Sequence, residues 1–131
     1  MTKDLLSNFF LKVKKMGAID KELINYIEEI FPNKSKKVLE VINRGVSKYC
    51  YKPSNRTVWI TIGEECEHLI YPKIYCSCQD FYKNVVVKKK RTFCKHILGQ
   101  IICEALNTYK VVELDDDDFK KLVKDLDMKF K

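Results

Sequence analysis

Two short motifs carry the residues of this sequence that are best suited to chemistry. Cys76-Ser77-Cys78 and Cys94-Lys95-His96 are separated by fifteen residues. Together they supply three thiolates and one imidazole, one of the ligand sets of closed tetrahedral zinc sites. Residues i and i+2 of an extended segment point the same way, so Cys76 and Cys78 can both reach one ion. The spacing therefore predicts one structural zinc ion, with these metal ligands: Cys76, Cys78, Cys94 and His96.

A second Cys-x-His pair, Cys66-Glu67-His68, precedes the first motif and leaves an alternative open. On a strand, Cys66 and His68 would face the same side and could complete a site with Cys76 and Cys78. That set gives Cys94 and His96 no role, so the favoured ligands remain Cys76, Cys78, Cys94 and His96. Cysteines outside it are interpreted as small buried apolar side chains: Cys50, Cys66 and Cys103. A further alternative is that all six thiols are free of metal.

The ligand count bears on the class of function. Four protein ligands leave no coordination position for water or substrate, so the zinc ion is expected to stabilise the fold and not to hydrolyse a substrate. The sequence also lacks a phosphate-binding glycine loop, a Gly-x-Ser-x-Gly turn and the His-x-Glu pair of zinc deaminases. We therefore predict that the protein is not an enzyme and has no small-molecule substrate.

The segment between the motifs combines aromatic residues with positive charge and ends in the run Lys88-Lys89-Lys90-Arg91. Zinc would hold both ends of this loop, and concentrated cations beside aromatic rings attract phosphate backbones and stack on unpaired bases. The candidate nucleic-acid-binding residues are Lys83, Lys88, Lys89, Lys90, Arg91 and Lys95. Two other interpretations stay open: a solvated hairpin tip that keeps the protein soluble, and a nuclear-import signal.

Helical periodicity dominates the first part of the chain, residues 1–45. Gly17 and Pro32 are expected to end the first two helices, and Asp20 is expected to cap the second. Either Asn33 or Ser35 can cap a third helix. These helices are interpreted as packing against a central core.

Strands and a further helix follow. Residues 48–52, 57–62 and 66–75 read as strands, the last interrupted by Pro72, which suits an edge or a bulge. A helix is predicted over 97–106, and the acidic run 115–118 favours the start of a final helix.

These elements predict an α+β fold with a small antiparallel sheet, a loop whose two ends are held by zinc, and a core helix. We expect three parts: an N-terminal helical segment at 1–45, a zinc-binding unit at 46–112, and a C-terminal helix with an acidic cap at 113–131.

Composition limits the protein's class and location. The 131 residues are 46% hydrophobic, which argues against a disordered chain. No run of apolar residues is long enough to cross a bilayer, and the N-terminus lacks a secretory signal. We therefore expect an intracellular protein, cytoplasmic or in the nucleoid or nucleus, whose cysteines are reduced. The net charge of +7 makes the protein basic, and we expect no membrane partner.

The order Cys-x-Cys, spacer, Cys-x-His, with strands before it and a helix after it, resembles the SWIM zinc-finger family over residues 46–108. In size the chain also resembles the small recombination-accessory branch, whose members pair with paralogues of RecA- or RadA-type recombinases. That branch has Ala three residues after the ligand His, where this chain has Gly99. The resemblance implies an adaptor in DNA recombination or repair that binds a recombinase-like protein and also DNA. The alternative is a sequence-nonspecific nucleic-acid-binding zinc finger without a dedicated protein partner.

Overall fold

The computed structural model describes residues 2–63 and 66–129. Over these residues the chain forms helices, a π-helical segment and a five-stranded sheet. The helices are α1 (Thr2–Met16), α2 (Lys21–Ile30), α3 (Ser35–Arg44), α4 (Lys95–Leu106) and α5 (Asp116–Lys129). The strands are β1 (Val46–Lys52), β2 (Arg56–Ile62), β3 (Glu67–Tyr71), β4 (Tyr75–Cys76) and β5 (Lys110–Asp115), and the π-helical segment is Phe81–Val87. The predicted α+β class is confirmed. No described helix is long and apolar enough to span a membrane.

The N-terminal helices begin and end largely where the sequence predicts. Gly17 follows α1 with a φ of 76°, a left-handed conformation that glycine adopts without steric cost. The Asp20 carboxylate accepts a hydrogen bond from the Leu23 amide at 3.0 Å and so caps α2. The cap of α3 was predicted wrongly. Neither Asn33 nor Ser35 caps it with its side chain; instead the Glu28 carboxylate of α2 accepts hydrogen bonds from both of their backbone amides.

The sheet has the order β4-β3-β2-β1-β5. Its first three pairings are antiparallel, as predicted, whereas β1 and β5 pair in parallel, with Ser47 opposite Lys110. The sheet is therefore mixed, and β5 is a strand that the sequence analysis did not anticipate. It runs across residue 112, where the zinc-binding unit was expected to end, and connects the C-terminal segment to the sheet.

The expected strand at 66–75 is divided in two by a turn. Lys73 has a φ of 67°, and the Ile74 amide donates to the Tyr71 carbonyl at 3.0 Å. Pro72 therefore lies in the turn between β3 and β4, and not at a bulge within one strand. The hairpin brings Cys76 opposite Ile70, which directs the first cysteine motif towards the core.

Both faces of the sheet are covered. On one face the larger core joins α1–α4 to the sheet, with Phe9, Ile27, Trp59, Ile97 and Ile101 fully or almost fully buried. On the other face, α5 packs Phe119 and Leu122 against a smaller group built from alternate strand positions: Tyr51, Val58, Ile60 and Leu69. Helix α4 is buried along most of its length, so its first turn is held rigidly beside the end of β4.

Candidate metal centre

Within residues 2–63 and 66–129, one group of metal-ligating side chains converges: Cys76, Cys78, Cys94 and His96. Their ligand atoms all lie within 4.8 Å of one another, and all four residues are buried. Cys76 ends β4, and Cys94 and His96 flank the first residue of α4. The structure therefore brings together the four side chains of the two motifs.

Ser77 shows how the first motif is oriented. Its backbone amide donates to the Leu69 carbonyl at 3.0 Å, and its Oγ accepts from the Leu69 amide at 2.9 Å. These hydrogen bonds continue the β3–β4 hairpin by one residue. Because neighbouring residues of an extended chain point to opposite sides, holding Ser77 towards β3 directs Cys76 and Cys78 together to the ligand cluster.

The cluster fits one tetrahedral zinc ion. Zinc bonds of about 2.3 Å to sulfur and about 2.0 Å to nitrogen place neighbouring ligand atoms about 3.5 to 3.8 Å apart. The Cys94 Sγ and His96 Nδ1 atoms are 3.9 Å apart. The Phe81 amide donates to Cys78 Sγ at 3.3 Å, a hydrogen bond that favours a thiolate. Three thiolates and one imidazole complete a closed site, whose ion would contribute to folding.

Burial and mutual hydrogen bonding shift the pKa values of the three thiols in different directions. Hydrogen bonds from Cys76 and Cys94 lower the pKa of Cys78 far below its usual range. Hydrogen bonding to Cys78 and Cys94, together with burial, raises the pKa of Cys76. Burial raises the pKa of Cys94. Zinc binds cysteine as the thiolate, so metal binding at this cluster would release the protons of the buried thiols.

The alternative ligand pair does not join the cluster. Cys66 is exposed, so its interpretation as a buried apolar side chain was wrong, whereas Cys50 is half-buried and Cys103 is buried. His68 packs its ring against His96, with the ring centroids 4.3 Å apart. His68 therefore contacts a ligand of the favoured site and supports its orientation.

The loop between the motifs is folded by its own contacts. Its first half is the π-helical segment Phe81–Val87, so the expected hairpin is replaced by a helical turn. The Asp80 carboxylate receives two hydrogen bonds from Arg91, at 2.7 and 2.6 Å, and one from Asn84 Nδ2 at 2.7 Å. Arg91 also lies over the Phe31 ring, 5.0 Å from its centroid. These contacts fix the return of the chain to Cys94.

The six cations that the sequence nominated for nucleic-acid binding have different surroundings. Lys83, at the π-helical segment, and the three lysines of the run 88–90 are exposed. Arg91 is ion-paired with Asp80, and Lys95 is half-buried beside the ligand cluster. Their role in nucleic-acid binding stays a prediction.

Sequence reasoning missed two features around the site. Asp80 was given no role in the sequence analysis, although its carboxylate anchors Arg91 eleven residues later. The lysines of Asn33-Lys34-Ser35-Lys36-Lys37 were counted only in the overall charge, but Lys34 and Lys37 line a cavity with Lys95. The charge density of that run was a signal available in the sequence.

Comparisons with known proteins agree with the ligand pattern. The chain is 28% identical over 123 residues to a zinc finger SWIM domain-containing protein 7 homolog of Dictyostelium discoideum, covering 92% of this chain and 78% of that protein. It is 24% identical over 125 residues to zinc finger SWIM domain-containing protein 7 of Mus musculus, covering 94% and 82%. For the Homo sapiens protein of that name, identity is 23% over 118 residues, covering 88% and 84%. No family model and no solved structure matches the chain.

The resemblance inferred from the two motifs is confirmed by these relatives and by the convergence of the four side chains. The ligand pattern, the closed cluster and the similarity along most of its length identify this chain as a relative of the SWIM zinc-finger proteins, with a site that fits one structural zinc ion.

Proposed function

We propose that the protein is an adaptor in DNA recombination or repair, in which the zinc site holds a surface that binds a recombinase-like protein, and that the chain also contacts DNA. The choice of partner follows from the resemblance of the motifs and chain length to the recombination-accessory branch. A non-catalytic role follows from the closed ligand set, which has no position for a substrate.

The observation that carries the proposal is an exposed apolar surface beside the ligand cluster. It is formed by the β3–β4 hairpin and the π-helical segment, and we call it the apolar patch: Tyr71, Ile74, Tyr75, Tyr82, Val86 and Val87. Their exposed fractions run from 37% for Tyr75 to 74% for Ile74. Large apolar side chains that cluster at a surface mark protein interaction sites.

Four residues of the patch, Tyr71, Tyr75, Tyr82 and Val86, adjoin one another and lie beside the metal site. The Tyr75 ring lies 6.4 Å from that of Tyr71 and 5.6 Å from that of Phe81. A cavity of about 170 Å³ is lined by Tyr75, Tyr82 and Val86, with both cysteines of the first motif at its wall. A groove with aromatic walls and a rigid floor suits an apolar anchor residue of a partner protein.

The test is binding of the zinc-loaded chain to a purified RecA-type recombinase paralogue from the same host, measured by isothermal titration calorimetry. Val86→Glu places a charge in the patch and should weaken binding at least about 10-fold, since a buried unpaired charge is costly at an interface. The matched control is Val111→Glu on β5, at the opposite edge of the sheet, where valine is 60% exposed.

Two results would count against the adaptor. Absence of binding to every recombinase paralogue of the host would remove the proposed partner class. Equal affinity of the Val86→Glu and Val111→Glu variants would show that the apolar patch is not the binding surface.

A sequence-nonspecific nucleic-acid-binding zinc finger is the second candidate, favoured by the exposure of Lys88, Lys89 and Lys90. Exposed lysines next to a fixed ion-paired arginine provide phosphate contacts without base readout. DNA binding by the chain alone, combined with no protein partner, would favour this candidate over the adaptor.

A further inference from the structure

A second surface next to the metal centre lies between α3 and the beginning of α4. A cavity of about 190 Å³ there is lined by Phe31, Lys34, Lys37, Asp80, Arg91 and Lys95. A larger cavity of about 490 Å³ shares Lys37 and Lys95 with it and extends to Arg44, His68 and His96. The two cavities are adjacent, since Lys37 and Lys95 line both, and we call them together the α3–α4 cleft.

Among the described residues that line the cleft, basic side chains outnumber acidic ones. The described carboxylates are Asp80 and Glu40, and Asp80 is already engaged by Arg91 in a paired hydrogen bond. Among the described residues, no carboxylate lies within ion-pairing distance of Lys34, Lys37 or Lys95. Three ammonium groups around one cleft repel each other, and an anion between them would relieve that repulsion.

We propose that the α3–α4 cleft binds the phosphate backbone of DNA, with Lys34, Lys37 and Lys95 as its phosphate contacts. This inference deepens the DNA contact in the proposed function and rests on it. It moves the centre of binding away from the run Lys88-Lys89-Lys90-Arg91, because the cleft lies between two packed helices, with Lys37 and Lys95 on those helices and Lys34 directly before α3.

The shape and chemistry of the cleft favour a polymer over a small anion. Its cations extend over two adjacent cavities, which matches the repeated charges of a nucleic-acid strand. From Arg91 the chain leads directly to Lys90, Lys89 and Lys88, so a strand leaving the cleft would meet the exposed loop run. The phenylalanine of the cleft, Phe31, is only 7% exposed and its ring is covered by Arg91, while the rings of His68 and His96 pack on each other. Base stacking is therefore not the mode of recognition, and binding should be independent of sequence.

The experiment measures fluorescence anisotropy of labelled single-stranded and duplex DNA of 30 nucleotides or base pairs over a salt series. It uses the full-length zinc-loaded chain as wild type, as Lys34→Gln/Lys37→Gln, and as Lys120→Gln/Lys121→Gln. The last pair is the matched control, because these lysines are exposed on α5, which packs on the opposite face of the sheet. A fourth variant, Lys88→Gln/Lys89→Gln/Lys90→Gln, tests the loop run separately.

The cleft variant should reduce the slope of log K against log salt by about one for each lysine, while the α5 variant leaves the slope unchanged. An unchanged slope and affinity in the cleft variant, with loss of binding in the loop variant, would overturn this inference and leave the DNA contact of the proposed function intact. Failure of the wild-type chain to bind either DNA at low salt would overturn this inference and also the DNA contact of the proposed function. In either case the calorimetric titration with the recombinase paralogue tests the protein partner independently. Zinc content and thermal unfolding of each variant distinguish lost contacts from lost folding.

Discussion

The packing of α3 against α4 leads to a quantitative prediction at Gly99. A methyl group at this position would lie 2.6 Å from Val41 Cγ1 and 3.1 Å from Val41 Cβ. Carbon atoms in a packed core prefer separations of about 3.5 to 4.0 Å, so Gly99→Ala requires the two helices to separate by about 1 Å. Val41 is only 4% exposed and β-branched in a helix, which leaves its side chain no favourable alternative rotamer.

Two opposing effects set the magnitude. Overpacking of a core costs about 1 to 3 kcal/mol, whereas glycine to alanine inside a helix gains about 1 kcal/mol. The net expectation for Gly99→Ala is a loss of about 1 kcal/mol of unfolding free energy. For a domain of this size that corresponds to a fall in Tm of about 3 to 5 °C.

The decisive assay is a double-mutant cycle in urea with zinc-loaded protein. Val41→Ala alone removes buried methyl groups and should also destabilise the chain. In the double variant the new methyl group at 99 occupies the space that Val41 vacates. The double variant should therefore lose less unfolding free energy than the sum of the two single losses, by about 1 to 3 kcal/mol. Additivity of the two substitutions within about 0.5 kcal/mol would refute the proposed contact between Gly99 and Val41.

Two further predictions concern ionisation and metal. Cys78→Ser should abolish retention of one zinc ion in native mass spectrometry. It should also unfold much of the sheet and α4, since a structural zinc site contributes about 10 kcal/mol or more of folding free energy. The control, Cys66→Ser, should retain the ion. Burial raises the pKa of Tyr51 to about 12, so Tyr51 contributes stability below its unfolded pKa of about 10 that is lost as pH rises towards 12. In urea unfolding from pH 9 to 11.5, Tyr51→Phe should therefore lose less stability than the wild type, and identical pH profiles would contradict this assignment.

The features that could be predicted from sequence are those fixed by local chemistry. The Cys-x-Cys and Cys-x-His spacings determine which side chains can share an ion, independently of how the loop between them folds. Alternation in β2 likewise placed Val58 and Ile60 on one face and Trp59 on the other, and both faces proved to be buried. In each case the determining residues are neighbours in the chain.

The features that were missed depend on residues distant in the chain. Strand β5 pairs with β1 more than fifty residues earlier, and its residues alternate only between exposed and half-buried because it is an edge strand. The cap of α3 comes from Glu28 in the preceding helix, so a search restricted to the flanking residues could not find it. The grouping of Lys34 and Lys37 with Lys95 likewise requires α3 to be placed against α4. Local patterns contain no information on these partners.

The position of the metal centre connects the two proposed surfaces. Its ligands come from the end of the β3–β4 hairpin, which carries the apolar patch, and from the first turn of α4, which carries Lys95 of the α3–α4 cleft. If zinc holds these elements together, removing it should weaken DNA binding and protein binding at the same time. Val86→Glu and Lys34→Gln/Lys37→Gln should each weaken only one of them. Such a pattern distinguishes a single rigid platform with two binding surfaces from two surfaces that fold independently of the metal.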